Sequence, residues 1–168
     1  MKHRPFPPAA GRRAGPHPVR HAGPRDAFAG PRGGGEWRGV AAPDAAAIAA
    51  LAERARARLP DPFRAIAAGV VVVVEDLAAD ETLAEVGAED PFALTGLYQG
   101  VALTEASHAD PAPLPATIRL FRRAILDEWA ERGDVALDDL VAHILVHEFA
   151  HHLGWSDADI AAIDRWWE

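Results

Sequence analysis

Residues 137–157 read LDDLVAHILVHEFAHHLGWSD, and the fold turns on this stretch. Up to residue 153 it follows one helical pattern. Asp138 and Asp139 fall in the first turn, where the helix dipole favours negative charge. Leu140, Val141, Ile144, Leu145, Val146, Phe149 and Leu153 then cover much of the circumference. A helix apolar nearly all round is a buried helix, so this one is expected in the core. Gly154 suits its end. Yet the same helix carries His143, His147, Glu148, His151 and His152. Burying so many polar groups costs free energy unless they are paired or bind a metal.

The spacing of those groups points to a metal. His147 and His151 are four residues apart, so their imidazoles leave one helix face a turn apart. Both nitrogens can then reach one Zn²⁺ at about 2.0–2.1 Å. Glu148 is rotated from His147 by about 100° and can sit beside the ion without ligating it. A carboxylate there can take a proton from a metal-bound water. This is the H-E-x-x-H arrangement.

A hydrolytic zinc site also needs a third protein ligand and an open position. One source is a Glu on another helix, about 20 or more residues downstream. After His151 the one Glu in this sequence is Glu168, 17 residues on. The other source is a chain that stops its helix at a Gly three residues after the second His and turns back, with the ligand three residues later. Gly154 and Asp157 stand at those positions, which completes H-E-x-x-H-x-x-G-x-x-D from His147 to Asp157. With this chain's own residue frequencies, the full pattern arises by chance in roughly 2 of 10,000 such sequences. Taken singly, Gly154 reads as a helix cap and Asp157 as a first-turn acid of the next helix; taken together with the histidines they favour Asp157 as ligand. His143 lies one turn before His147, but a second ligand pair on one helix conflicts with tetrahedral geometry. His143 and His152 are therefore expected to support the site by packing and hydrogen bonding.

Outward from this stretch, Ser156-x-x-Asp159 resembles a capping box for a final helix with Ile160, Ile163 and Trp166 inward. Upstream, Ile48, Leu51, Ala52, Ala55 and Leu59 recur at helical spacing until Pro60-Asp61-Pro62. Val70–Val74 is an unbroken β-branched run, expected as a central strand covered on both faces. Asp80 is expected to cap a short helix that ends at Gly87. Leu94–Val101 is strand-like, with Gly96 and Gly100 marking a bulge or a close backbone approach. Residues 102–116 read as a Pro-rich loop, Thr117–Phe121 as an alternating strand, and Ile125–Arg132 as a short helix before Gly133.

The 168 residues carry a formal charge of −8, no Cys and one Met. Lack of Cys excludes a disulfide scaffold and any thiolate metal site. No apolar run is long enough to span a membrane, so no membrane partner is expected. Residues 1–42 hold 8 Lys+Arg, 2 acids, 8 Gly and 7 Pro, whereas residues 43–168 hold 9 Arg and 23 acids. The first segment, with few and aperiodic apolar residues, is expected to be a disordered basic tail before one domain over 43–168. Its Arg are scattered, without aromatic interleaving, so nucleic acid is not the expected partner. Ala/Arg-rich usage with a single Lys suggests a high-GC bacterium, and the absence of Cys and of a signal segment suggests the cytoplasm.

His147–Asp157 resembles the active helix of zincin metallopeptidases with Asp as third ligand, as in aspzincin-like and snapalysin-like peptidases. Val71–Asp76 (VVVVED), Asp90–Val101 (DPFALTGLYQGV), Leu114–Arg123 (LPATIRLFRR) and Ile125–Val135 (ILDEWAERGDV) extend the match. Together they resemble the bacterial minimal zincin family over about residues 43–168. That resemblance implies an α+β fold: a small mixed sheet packed on a buried active-site helix, with helices at both ends. It also implies one Zn²⁺ on His147, His151 and Asp157, with Glu148 as general base and acid. Met1 is the only Met, so no methionine turn lies beneath the metal.

Two activities share these ligands. One is peptide hydrolysis by metal-activated water, with a peptide or protein substrate lying along an edge strand, Leu94–Val101 or Thr117–Phe121, and Tyr98 as a possible oxyanion donor. The other is a zinc-binding protein of the same fold without peptidase activity, in which His143 or a tail His (His3, His17 or His21) fills the fourth position.

Overall fold

The computed structural model describes residues 41–105 and 115–163. The expected tail (all but its last two residues), Pro111, Pro113, Trp166, Glu168 and the Ile163 side chain lie outside what it describes. Helix α1 spans Ala45–Arg58, and the Asp44 carboxylate caps it by accepting the Ala47 N–H at 2.8 Å. A short helix α2 (Phe63–Ala67) follows, which the prolines had hidden from the sequence reading. Strand β1 (Val71–Glu75), helix α3 (Asp80–Val86), a 3₁₀ turn (Pro91–Ala93) and strand β2 (Gly96–Gln99) come next. Strand β3 (Thr117–Phe121) leads straight into α4 (Arg122–Arg132), then α5 (Leu137–His152) and α6 (Asp157–Ile163). Asp80 does not cap α3: the N-cap is Ala79, with no side-chain bond, and Asp80 contributes only a first-turn charge.

The three strands form one mixed sheet in the order β1-β3-β2, with β1 parallel and β2 antiparallel to β3. This is the expected α+β arrangement with one correction. The valine run is an edge strand and Thr117–Phe121 is the centre, so β3 offers no edge to a substrate. Val71 and Val73 are 45% and 37% exposed. The alternation in β3 misled because Arg119 looks like a solvent-facing residue. Instead, its guanidinium is held by both Glu75 carboxylate oxygens (2.6–2.9 Å) and the Thr82 hydroxyl (3.2 Å), which lets a central strand carry a charge.

Each face of the sheet has its own core. On one, Val72, Val74, Ile118, Leu120 and Tyr98 pack with Ile48 and Ala52 of α1 and Leu140, Val141, Ile144, Leu145 and Phe149 of α5. On the other, Leu97 and Phe121 pack with Leu83 of α3 and Ala124 of α4. The apolar residues of α5 are buried or half-buried, as expected, except Val146, which is 44% exposed. Among the described residues, no helix is long and apolar enough to cross a membrane. The placement of β1 and β3 sets a contrast. Leu120→Ala, at 0% exposure, should cost about 2–5 kcal/mol in urea unfolding. Val71→Thr should stay within about 0.5 kcal/mol, and equal losses would refute the edge assignment.

Candidate metal centre

Three side chains from two helices meet at the C-terminal end of α5. His147 and His151 project from adjacent turns, their rings 5.0 Å apart and near perpendicular. Asp157 opens α6, and its Oδ1 lies 3.4 Å from His147 Nε2 and 3.3 Å from His151 Nε2. One ligand atom from each residue falls within 4.8 Å of the others, and all three side chains are half-buried.

The turn between the helices produces this meeting. Gly154 has φ of 91°, the left-handed region, and a Cβ there would collide with the Thr104 side chain. The chain therefore reverses at Gly154 with the segment after β2 packed into the space a side chain would fill. The capping box is present: the Ser156 N–H donates to Asp159 Oδ2 at 2.9 Å, and the Asp159 N–H donates to Ser156 Oγ at 3.3 Å. It sets the start of α6 and hence the position of Asp157. The Ser156 bonds also hold the Asp159 carboxyl below its ordinary range.

The Trp155 carbonyl accepts a hydrogen bond from His151 Nδ1 at 2.9 Å. A carbonyl has no proton to give, so Nδ1 carries the hydrogen, and in the neutral ring Nε2 presents a bare lone pair. That Nε2 is buried without a hydrogen-bond partner. It faces a carboxylate oxygen, another acceptor, at 3.3 Å. Two acceptors so close repel unless a proton or a metal cation lies between them. A neutral imidazole with Nδ1 on a backbone carbonyl is also how metal-ligating histidines are oriented. The donor set fits a divalent zinc-type ion.

Glu148 is buried beside this cluster. A Cβ on Gly96 would lie 2.9 Å from Glu148 Oε1 and 2.8 Å from Ile144 Cγ2, so β2 can rest on α5 only through a glycine. Gly96 marks a close approach, and its partner is the Glu148 side chain rather than a backbone. The Tyr98 backbone N–H is directed at the Glu148 carboxylate. Burial pushes the Glu148 carboxyl up to about 8, the Tyr98 N–H opposes that, and the Asp157 charge adds to it.

The Tyr98 side chain has other partners than an oxyanion. Its hydroxyl donates to the Val101 carbonyl at 2.9 Å and lies 2.9 Å from His152 Nδ1. The hydroxyl has one proton and spends it on Val101, so His152 Nδ1–H is the donor in the second bond. His152 is buried between Tyr98 and Phe149, and burial lowers its pKa. The His143 ring lies 6.4 Å from that of His147, and His143 is not part of the three-residue group. The roles of the Trp155 carbonyl and Thr104 are not legible in the sequence, because backbone acceptors and loop packing leave no mark in residue identity.

Two outcomes follow from this geometry. Asp157→Asn, which keeps size and removes charge, should weaken zinc binding in chelator competition by at least about tenfold; unchanged affinity would remove Asp157 from the ligand set. In metal-free protein, folded Glu148 keeps its proton to about pH 8, whereas the unfolded chain loses it near the model-peptide value of 4.5. Stability should therefore fall as pH rises through that window, by up to about 1.4 kcal/mol per pH unit. Glu148→Gln should flatten the dependence, and identical slopes in thermal melts would contradict it.

The zincin-like metallopeptidase family model matches residues 67–167. No curated protein matches the chain. The family match runs from the end of α2 through all three strands and the whole His-His-Asp turn, well over half of the sequence. With the site geometry, it shows that this chain belongs to the zincin-like metallopeptidase family.

Proposed function

We propose that the protein is a zinc-dependent peptidase that hydrolyses peptide bonds, with His147, His151 and Asp157 holding one Zn²⁺ and Glu148 moving the proton. One observation carries the reading: the buried, unpartnered His151 Nε2 faces Asp157 Oδ1 at 3.3 Å, beside a buried carboxyl. Zinc bound there would lower the pKa of a water to about 7 and polarise a peptide carbonyl.

The chain's own residues supply the rest. Glu148, kept from bulk water and close to Asp157, has a proton affinity matched to near-neutral chemistry. It takes a proton from the attacking water and returns it to the leaving amine. Trp155, through its carbonyl, holds His151 in the tautomer that presents Nε2. Strand β2, the edge that lies on α5, is where an extended peptide would run, pairing by strand addition. The substrate is a peptide or protein. A cysteine-free, Ala/Arg-rich composition supports a bacterial cytoplasmic setting.

Glu148→Gln decides the matter. The variant should bind zinc stoichiometrically and lose about 10²–10⁴-fold in cleavage of a peptide library. Cleavage unchanged by the substitution would overturn the assignment. Stoichiometric zinc with no turnover in the parent protein would leave a zinc-binding role instead.

A further inference from the structure

Tyr98 meets α5 at two heights. Its backbone N–H is directed at the Glu148 carboxylate, on whose side chain Gly96 of the same strand rests, and its hydroxyl receives the His152 Nδ1–H at 2.9 Å. Glu148 and His152 are one helical turn apart, so the two bonds fix both the height and the rotation of β2 against the helix. A third bond follows in the chain: the Leu103 N–H donates to the His152 carbonyl at 2.9 Å.

β2 needs such a lock. It has four residues and, among the described residues, pairs with β3 alone. A short edge strand opens more readily than a central one. Its contact with α5 at position 96 is a glycine, which has no side chain to key into the helix. The neighbouring Tyr98 must therefore supply the key, and it does so through the ring of His152, which is 6% exposed.

We infer that Tyr98 and His152 are positioning residues: their hydroxyl–imidazole bond holds β2 at the height where the Tyr98 N–H aims the Glu148 carboxylate at the metal site. The inference rests on Glu148 as the proton carrier. It gives His152 a job distinct from supporting a metal-bound imidazole, and gives the Tyr98 hydroxyl a job distinct from binding an oxyanion.

The test uses the full chain and three variants: Tyr98→Phe, His152→Leu and His152→Asn, whose amide nitrogen stands near the Nδ1 position. In metal-free protein, Tyr98→Phe and His152→Leu should speed hydrogen exchange at the residue-98 amide by about tenfold or more. Amides of β1 and α1 should keep their protection. His152→Asn should restore most of the protection at residue 98. Zinc affinity should stay within about threefold, whereas loss of direct support to a ligand costs about 10–100-fold. On a cleavable peptide, kcat should fall about 10–100-fold with KM within about twofold. Unchanged exchange at residue 98, loss of protection across the whole sheet, no rescue by Asn, or zinc affinity falling with kcat would each overturn the inference. Exchange and zinc binding need no turnover, so failure of the peptidase assignment would be seen separately, in the Glu148→Gln comparison.

Discussion

The polar atoms that α5 carries into the core must each find a partner, and each partner sets the position of another element. His151 Nδ1 takes the Trp155 carbonyl, which folds the chain back beneath the helix end. Glu148 lies against Gly96 and faces the Tyr98 N–H, which seats β2. His152 takes the Tyr98 hydroxyl with its ring and the Leu103 N–H with its carbonyl, which seats the segment after β2. Among the described residues, the buried side-chain atom left without a hydrogen bond is His151 Nε2, opposite an aspartate oxygen. A buried acceptor without a donor is costly, and two facing acceptors more so. The candidate site thus gathers around the buried polar atom of α5 that the surrounding chain leaves without a hydrogen bond.

The sheet shows the same economy of charge. β3 could take the central place only because Arg119 finds Glu75 at the end of β1 and Thr82 on α3. An unpaired guanidinium there would cost several kcal/mol, on the order expected for a partly buried ion. The valines of β1, which look made for the interior, sit at an edge with one side half-exposed. A local run of β-branched residues reports preference for extended backbone. It carries no information on which neighbours the strand acquires.

Legibility differed across the site for related reasons. His147, Glu148, His151, Gly154 and Asp157 were readable because they lie within eleven residues, where helix geometry alone converts spacing into direction. The capping box at Ser156 and Asp159 was readable for the same reason. Tyr98, Gly96 and Thr104 reach the site from about fifty residues earlier in the chain, and no local rule fixes that approach. The sequence flagged Gly96 as a crowded place and Tyr98 as a polar group near the site. It could not say that the crowding comes from a carboxyl group, or that the hydroxyl is already bonded.

The buried helix, the spacing of His147, His151 and Asp157, and the α+β character were legible in the sequence, because all three follow from periodicities and offsets within one element or one turn. Tertiary structure alone decided the strand order, the partner of Arg119, the environment that raises the Glu148 carboxyl, and the bond between Tyr98 and His152. Those depend on atoms distant in sequence arriving at one place. Desolvation and hydrogen-bond complementarity become defined only once they are there.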